Sequence, residues 1–526
     1  MPAATSAPAM NGARALVETL VNCGVELCLA NPGTSEMHLV QALDQVAGMR
    51  SVLTLFEGVC SGAADGYGRM RGRPAATLLH LGPGLANAMA NLHNARRAGT
   101  PLLNLVGNHP HFHLGHDAPL TSDIDALAGH CSSWFKSSST AASLAQDGAD
   151  AVAATLRATP GSQGRIATLV IGADAAWGES TGPVLPCALP RRALTDVAQA
   201  EQIAEVLASG ENAVLLLDQD ALTPAALEMA SRIGSKTGCR LITSTFPARI
   251  DGGPGAVRVE RMPYFPEQIL ATLEGARHLI LVGAAAPVGF FAYPGIARLP
   301  IPEDCQLHVL ARVEEDALDA LTQVAELLHA RHSPVRHFER TVLPMPTGRL
   351  STRSIAQAVA VSLPDGAIVA TDSGGGNAAY PLCQAAVPHS WLSLTGGAIG
   401  QGGPVATGAA LACPERRVLA LLGDGGAAYT LQCLWTQARE GLNVTTVIYA
   451  NRSYNILNVE YARLGVSEVG PVATSLFDIG NPSLDWVAIA RGFGVPAAVA
   501  HTAEELLTLL ARSYRESGPF LIQAEC

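Results

Sequence analysis

Short apolar segments alternate with helical patterns along most of the chain, and this alternation predicts the fold class. Short strands that alternate with helices at such spacing are typical of parallel βαβ units. The predicted helices are 12–22, 34–45, 59–69, 86–95, 355–361, 405–412 and 427–439. The predicted strands are 26–30, 51–56, 75–80, 102–107, 213–217, 278–282, 367–370, 417–422 and 444–450.

Two proline-rich passages, at 182–190 and about 331–352, interrupt this pattern. Passages of this kind are typical of linkers between domains. A chain of 526 residues is also longer than a single hydrophobic core usually serves. We therefore predict an α/β protein of three doubly wound parallel-sheet domains, with limits at 10–180, 191–332 and 350–526.

Charge and hydropathy exclude two classes of partner. The formal net charge is −11 and no run of Lys and Arg occurs, so we expect no nucleic acid partner. No apolar run reaches the roughly 18 residues that a membrane-spanning helix needs, so we expect no membrane partner. A small molecule held by local geometry remains as the expected ligand.

The cysteines indicate a reducing compartment. Eleven cysteines are scattered without any Cys-x-x-Cys pair, and most lie in apolar, alanine-rich stretches. This pattern is typical of buried, reduced thiols, whereas a disulfide or zinc scaffold needs organised spacing. The first nine residues also lack the apolar centre of a signal peptide. We therefore expect a cytoplasmic protein.

A Gly-Asp-Gly turn, Gly423-Asp424-Gly425, ends one apolar strand, and Asn451 ends the next strand 27 positions later. Parallel strands deliver their carboxyl ends to one edge of a sheet, so Asp424 and Asn451 would offer neighbouring oxygens. Mg²⁺ prefers such oxygens together with phosphate oxygens, and the Ser453 carbonyl is our third candidate ligand. The alternative is an ordinary turn with an unrelated asparagine.

In this strand–turn–helix context, the Gly-Asp-Gly turn and the later Asn resemble the signature of thiamine-diphosphate enzymes. The chain is similar to the branch that contains acetolactate synthase and benzoylformate decarboxylase, most strongly at 11–125 and 370–460. The resemblance implies thiamine diphosphate and Mg²⁺ as cofactors. It also implies pyrimidine-binding, middle and diphosphate-binding domains, a homodimer as the minimal active unit, and a homotetramer as the expected assembly.

Glu57 lies where an apolar strand meets a helix rich in Gly and Ala. A carboxylate there is favourable to the helix dipole, which is the structural interpretation. The family has a Glu before such an Ala-Asp-Gly-Tyr stretch, and that Glu bonds the pyrimidine N1′ of the cofactor. Protonation there favours the 4′-imino tautomer, which removes the C2 proton, and the C2 carbanion adds to the substrate carbonyl. By resemblance, Glu57 takes this role and Ile399 supports the bent cofactor.

Several further residues are candidates on the substrate side. The turn at Pro32 and Gly33 would reach the pyrimidine, and Thr34 either caps a helix or contacts substrate. His80 ends a strand and, by resemblance, assists proton transfer. The four histidines of 109–116 suit either a metal or a loop that supplies one proton donor, for which His113 is our candidate.

The remaining cofactor contacts are expected from glycine-rich turns, whose free amides bind anions. These are Ser373, Gly374, Gly375, Gly423, Gly425 and Gly426, and Tyr454 is either a wall of the same site or a core aromatic.

The chain also departs from its relatives. Phe290 and Phe291 stand where the decarboxylase has a middle-domain histidine, and together with Ile456 and Leu457 they predict an apolar acyl pocket. We predict a thiamine-diphosphate- and Mg²⁺-dependent decarboxylase or carboligase of 2-oxo acids. One alternative is a 2-hydroxyacyl-CoA lyase or synthase with a nucleotide in the middle domain. Another is a cofactor-binding paralogue without turnover.

Overall fold

The computed structural model describes residues 10–157, 165–189, 191–293, 295, 299–466 and 468–526. The first nine residues and the last residue of the predicted linker at 182–190 lie outside these ranges. The described residues form three sheets, each covered by helices on its faces.

The first sheet is parallel throughout. With its strands numbered along the chain, their order across the sheet is β2-β1-β3-β4-β6-β5. They are β1 (Leu27–Asn31), β2 (Arg50–Leu53), β3 (Ala75–Leu79), β4 (Pro101–Asn108), β5 (Trp134–Ser138) and β6 (Arg165–Gly172). The helices are α1 (Gly12–Asn22), a 3₁₀ turn (Thr34–Glu36), α2 (Met37–Gln45), α3 (Glu57–Arg71), α4 (Leu81–Ala98), α5 (His111–Leu114), α6 (Ile124–Cys131), α7 (Ala141–Thr155) and α8 (Ala173–Trp177).

The second sheet is also parallel and comprises β7 (Ala213–Leu217), β8 (Arg240–Thr243), β10 (Glu260–Arg261), β11 (His278–Val282) and β12 (Gln306–Ala311). Their order is β10-β8-β7-β11-β12. Its helices are α9 (Val197–Ala208), a 3₁₀ turn (Gln219–Leu222), α10 (Pro224–Thr237), α11 (Pro266–Thr272) and α12 (Ala317–Leu327).

The third sheet contains β13 (Ala367–Thr371), β14 (His389–Leu392), β15 (Val418–Gly423), β16 (Val444–Ala450), β17 (Ala497–Ala500) and β18 (Phe520–Glu525). The strand β9 (Ile250–Gly252) adds antiparallel to β14, which gives the order β17-β18-β16-β15-β13-β14-β9. Its helices are α13 (Thr352–Ser362), α14 (Gly374–Asn377), α15 (Tyr380–Cys383), α16 (Gly402–Ala412), α17 (Asp424–Ala427), α18 (Cys433–Arg439), α19 (Asn455–Arg463), α20 (Pro471–Phe477), α21 (Trp486–Gly492) and α22 (Ala503–Arg515).

The prediction of an α/β fold with three parallel sheets is confirmed. The domain limits at 10–180, 191–332 and 350–526 stay predictions, and one strand of the middle stretch, β9, joins the third sheet. The strands β7, β11 and β16 begin and end where the hydrophobic pattern predicted them.

The predicted helix 427–439 is wrong in one respect, because α17 and α18 are separated by residues 428–432. The Thr430 hydroxyl donates to the Gly400 carbonyl at 2.6 Å, which holds the intervening turn against a neighbouring loop.

The first and third sheets are joined within one chain by α3 and α16, which cross at glycines. A Cβ on Gly408 would lie 1.8 Å from the Ala63 carbonyl oxygen, and one on Gly66 would lie 2.1 Å from that of Val405. Only glycine permits so close an approach of two helix backbones. Every residue of α16 is buried, so this contact is a core shared by two domains.

No helix within the described ranges has the length and hydrophobicity to cross a membrane.

Candidate active site

The predicted metal ligands lie at the carboxyl ends of two neighbouring strands. The strands β15 and β16 pair in parallel, with Gly423 opposite Tyr449, so Asp424 and Asn451 leave the sheet at the same edge. Asp424 Oδ2 accepts a hydrogen bond from the Arg452 backbone N–H at 2.6 Å, which brings the two loops into contact. In the second loop, Asn451 Oδ1 accepts from the Ser453 N–H at 3.0 Å.

The Asp424 carboxylate is largely removed from water. Burial raises the pKa of Asp424, because removal from water disfavours the charged form, and hydrogen bonds from backbone amides offset this only in part. A buried carboxylate of this kind is stabilised by a metal ion. The donor set of carboxylate, amide and carbonyl oxygens suits Mg²⁺.

A turn at the end of β13 lies beside the same edge of the sheet, since β13 pairs with β15. Ser373 Oγ accepts from the Gly376 N–H at 2.9 Å, and a Cβ on Gly374 would meet only open space. By contrast, a Cβ on Gly375 would approach the Tyr449 ring to 2.9 Å. The turn is therefore open on one side and closely packed on the other.

Glycines also line the opposite wall of this cradle. A Cβ on Gly425 would lie 2.3 Å from the Tyr454 ring, and one on Gly426 would lie 3.3 Å from Asp372 Oδ1. Tyr454 is partly buried, so it forms a wall of the cradle and is not a core aromatic. Gly423 is less constrained, because its Cβ would only make an ordinary 3.5 Å contact with Ser373.

Asp372 connects the cradle to the loop at 393–401, which carries Ile399. Its Oδ2 accepts from the backbone N–H groups of Gly400 and Gly402, each at 3.1 Å. Its Oδ1 is buried and has no hydrogen-bond partner among the described residues. Burial raises the pKa of Asp372 to about 6. The sequence offered a usable signal for Asp372, because it is a polar residue that directly follows a buried strand.

Glu57 is the first residue of α3 and is buried, with 7% of its surface exposed. Its Oε2 accepts from Asn87 Nδ2 at 3.0 Å, and a Cβ on Gly84 would lie 3.2 Å from Oε1. No described residue donates to Oε1. A carboxyl group thus stands in a small-residue environment with one oxygen available to a ligand. Sequence reasoning missed Asn87, which no motif distinguished within the Ala-rich helix α4.

His80 is held by a carboxylate that sequence reasoning also missed. Glu36 is fully buried, and its Oε2 lies 2.8 Å from His80 Nδ1. The same carboxylate accepts from the Gly33 N–H at 2.8 Å and from the Ser35 hydroxyl at 2.7 Å. Because Glu36 acts as acceptor throughout, Nδ1 donates and Nε2 is left as the free ring nitrogen.

The turn that precedes Glu36 packs directly on the His80 ring. A Cβ on Gly33 would lie 2.1 Å from His80 Nδ1, so the Pro32-Gly33 turn needs glycine at this position. Thr34 is exposed and lies next to this pair. The structure therefore brings the Gly33 turn and His80 together, as the sequence suggested, with Ser35 and Glu36 as additional members of the group.

Three of the histidines of 109–116 form a row of edge-on and tilted ring contacts. The ring centroids of His109 and His113 are 5.5 Å apart, and those of His113 and His116 are 5.6 Å apart. His111 instead pairs with Asp174 through Nδ1 at 2.9 Å. Across the described ranges, no group of three or more His, Cys, Asp and Glu side chains could hold a metal ion, so the metal interpretation has no support. The role of His113 as proton donor stays a prediction.

The loop at 393–401 contacts two helices of the first sheet. Arg69, near the end of α3, donates to the Ser393 carbonyl at 2.7 Å and to the Thr395 hydroxyl at 3.0 Å. On α4, Asn94 Nδ2 donates to the Ala398 carbonyl at 2.8 Å and to Asn91 Oδ1 at 3.2 Å. Asn91 in turn donates to the Gly58 carbonyl at 2.8 Å, so hydrogen bonds connect this loop to the residue that follows Glu57.

Phe290 approaches this loop from the middle domain. A Cβ on Gly397, two residues before Ile399, would lie 2.3 Å from the Phe290 ring. Phe290 packs against other aromatic rings, with centroid distances of 5.2 Å to Tyr264, 5.1 Å to Phe291 and 6.0 Å to Phe246. Phe290 and Phe291 remain 40% and 53% exposed. An apolar wall thus borders the loop.

The chain matches two family models. Residues 10–128 match "Thiamine pyrophosphate enzyme, N-terminal TPP binding domain", and residues 374–524 match the C-terminal TPP binding domain of the same enzymes. The "Putative acetolactate synthase large subunit IlvX" of Mycobacterium tuberculosis is 49% identical over 516 residues, 98% of each chain. The chain therefore belongs to the thiamine-pyrophosphate enzyme family.

Two further similarities define the branch and the fold. A benzoylformate decarboxylase of Pseudomonas aeruginosa is 29% identical over 540 residues, covering 96% of this chain and 97% of the relative. The structure of a thiamine-diphosphate-dependent 4-hydroxybenzoylformate decarboxylase from Rhodococcus jostii superposes with a TM-score of 0.82, at 24% identity, over 98% of this chain and 99% of that one. The protein is thus a thiamine-diphosphate-dependent enzyme of the acetolactate synthase and benzoylformate decarboxylase type.

Proposed function

We propose that this enzyme uses thiamine diphosphate and Mg²⁺ to break or form the carbon–carbon bond beside the carbonyl of a 2-oxo acid. The observation that carries the proposal is the meeting of three strand ends, those of β13, β15 and β16, around a glycine-lined cradle that contains a buried carboxylate. Such an edge of a parallel sheet is where doubly wound folds bind their ligands.

The proposed roles divide by location. Asp424, Asn451 and the Ser453 carbonyl would hold Mg²⁺, and the cation would offset the burial of Asp424. Backbone amides of the two glycine turns would bind the diphosphate, with Tyr454 as a side wall; these residues are Ser373, Gly374, Gly375, Gly423, Gly425 and Gly426. Ile399, Pro32, Gly33 and Glu57 would contact the organic part of the cofactor.

When bound, the cofactor supplies a nucleophilic carbon and an electron sink for the bond that breaks. Glu57 would hold a proton at the pyrimidine nitrogen through its free Oε1, while Asn87 keeps Oε2 in place. His80 would exchange a proton with the substrate through Nε2, because Glu36 occupies Nδ1. Thr34 would contact the substrate, and His113 would supply a further proton.

The site requires two copies of the chain in this proposal. The resemblance to thiamine-diphosphate enzymes implies that Glu57 of one copy meets the cradle of another copy. We therefore infer a homodimer as the minimal active unit, with a homotetramer as the proposed assembly.

The substrate and the compartment belong to the same proposal. The exposed rings of Phe290 and Phe291 favour a hydrophobic or aromatic acyl group over a charged one. All eleven cysteines are free, which supports the expected cytoplasmic location.

A panel of 2-oxo acids tests the function. The enzyme loaded with thiamine diphosphate and Mg²⁺ is incubated with pyruvate, longer aliphatic 2-oxo acids and benzoylformate, and CO₂ release and products are measured. We expect turnover, with an aldehyde or a 2-hydroxy ketone as product. Cofactor binding without turnover of any 2-oxo acid or acyl-CoA would instead favour a non-catalytic paralogue. Cleavage of a 2-hydroxyacyl-CoA alone would favour the lyase alternative.

A further inference from the structure

The helix α19 follows the proposed metal loop directly, yet the chain's own core does not hold it. None of the described residues of α19 or α20 is buried. Most helices in proteins owe their stability to a packed apolar face. The attachment of α19 must therefore come from specific contacts.

Several of those contacts come from the middle domain. Arg463, the last residue of α19, binds Glu267 with two hydrogen bonds, Nη1 to Oε1 at 2.6 Å and Nη2 to Oε2 at 2.9 Å. Its guanidinium carbon lies 4.2 Å from the ring centroid of Phe265 and 4.3 Å from that of Tyr293. The Tyr293 hydroxyl donates to Glu460 at 2.8 Å. We call Glu267, Phe265, Tyr293, Glu460 and Arg463 the clasp.

The geometry of the clasp is directional. A forked guanidinium–carboxylate pair fixes orientation as well as distance, and stacking on aromatic faces restricts the guanidinium plane. Ordinary exposed ion pairs lack the second constraint. The clasp is therefore able to define where α19 lies, although the residues of the clasp are partly exposed.

The same middle-domain segment carries the apolar wall. Tyr264, the neighbour of Phe265, packs on Phe290 at a centroid distance of 5.2 Å, and Phe290 in turn contacts Gly397. On the other side, α19 exposes Ile456 and Leu457, which are 49% and 39% accessible. One segment thus contacts both the Phe290 wall and the last residue of the helix that exposes Ile456 and Leu457.

We propose that the clasp is a specificity-determining device: it sets the separation between α19 and the Phe290 wall, and so the size of the acyl group that the active site accepts. This inference rests on the proposed function. The residues of the clasp are positioning residues, since none of them touches the reacting atoms.

Glu267→Gln and Arg463→Gln test the proposal in the cofactor-loaded enzyme. The ratio of kcat/KM for benzoylformate to that for pyruvate should change at least about fivefold in both variants. The Kd for thiamine diphosphate should stay within about twofold of wild type. Arg463→Lys keeps the positive charge and its attraction to the ring faces but loses the fork and the planar stacking, so its ratio should lie between those of wild type and Arg463→Gln.

The matched control is Glu260→Gln, which breaks another forked pair of the middle domain and makes the same substitution as Glu267→Gln. Glu260, on β10, accepts from Arg240 of β8 at 2.6 Å and lies outside the clasp. The substrate ratio of this variant should remain that of wild type. An unchanged ratio in Glu267→Gln, or an equal change in Glu260→Gln, would overturn the proposal.

Hydrogen–deuterium exchange provides a second test of the clasp that does not depend on turnover. Amides of 455–463 should exchange faster in Glu267→Gln than in wild type, while those of α16 stay unchanged. If wild type turns over no 2-oxo acid, the proposed function fails by itself. Unchanged exchange in 455–463 would then overturn the clasp as well, and faster exchange would support it.

Discussion

Two helical regions flank the candidate active site, and they differ in almost every physical respect. The pair formed by α3 and α16 is nearly all buried: every residue of α16 is inside, and in α3 only Arg71 is not. In the pair formed by α19 and α20, by contrast, none of the described residues is buried. The first pair carries Glu57 at its start, and the second follows the proposed metal loop.

The difference separates a rigid part of the site from an adjustable one. Glycines bring α3 and α16 into backbone contact, and the buried pair of Arg69 with Asp65, at 2.6 Å, is locked by further bonds from Thr100 and Gln401. Segments with few buried contacts open and shift at low free energy, as α19 and α20 are expected to do. The chemistry would thus rest on the buried pair, and substrate choice on the exposed one.

The largest expected effect is on catalysis at the start of the buried pair. Glu57→Gln should lower turnover by about 10²–10⁴-fold, since it removes an acid–base group. The amide still accepts from Asn87, so folding and retention of Mg²⁺ and cofactor should not change. Hydrogen–deuterium exchange at C2 of the bound cofactor, followed by NMR, measures the loss. Normal exchange in this variant would remove Glu57 from its proposed role.

The next effect concerns cofactor retention. Asp424→Ala should abolish the thermal stabilisation that thiamine diphosphate and Mg²⁺ give to wild type, which for a ligand at 100 times its Kd is about 2.7 kcal/mol. The control is Asp365→Ala, an exposed aspartate in the turn before β13, at the other end of that strand, which should keep the full shift. Thermal unfolding of wild type and of both variants, with and without cofactor, measures this difference. An intact shift in Asp424→Ala would contradict the metal site.

A methyl group added to each helix pair tests the comparison itself. Gly408→Ala puts a Cβ 1.8 Å from a carbonyl oxygen, so it should destabilise the fold by about 1–3 kcal/mol or more. Gly470→Ala, beside α20, has nothing within 4 Å and should stay within about 0.5 kcal/mol of wild type. Thermal unfolding of the two variants measures this contrast. Equal effects would mean that the two pairs do not differ as described.

The smallest expected effect is a pH dependence of stability. The pKa of Asp372 is raised from 3.8 to about 6, so the fold favours the neutral form. The stability that protonation contributes is present below about pH 4 and is lost as the pH rises through about 6. Asp372→Asn should therefore stabilise the cofactor-free protein by on the order of 1–3 kcal/mol at pH 8, and hardly at pH 4.

Unfolding midpoints between pH 4 and pH 8 check this expectation. Asp478→Asn serves as control, because it makes the same substitution at an exposed carboxylate. A pH-independent effect of Asp372→Asn would show that the burial of Asp372 is not what the substitution relieves.

Sequence patterns predicted the buried half of this comparison far better than the exposed half. Strands such as β7 and β16 are buried along their whole length and consist mostly of apolar residues, so their limits could be predicted directly. The helices α19 and α20 were not predicted, because their apolar residues are exposed in this chain and show no periodic polar side.

The site was predictable only where a motif marked it. The Gly-Asp-Gly turn and Asn451 indicated one edge of the third sheet, and β15 and β16 do bring them together. Glu36 and Asn87 were missed, because they act through contacts 44 and 30 residues away along the chain. Such pairings depend on tertiary packing, which no local spacing encodes.

The buried Arg69 has a consequence for anyone who recombines enzymes of this family. Its guanidinium donates to Asp65 on its own helix and to Ser393 and Thr395 far along the chain. A fragment that ends near residue 180 would lose the latter acceptors and expose the glycine-lined side of α3. Functional chimaeras should therefore inherit α3 and residues 393–412 from the same parent.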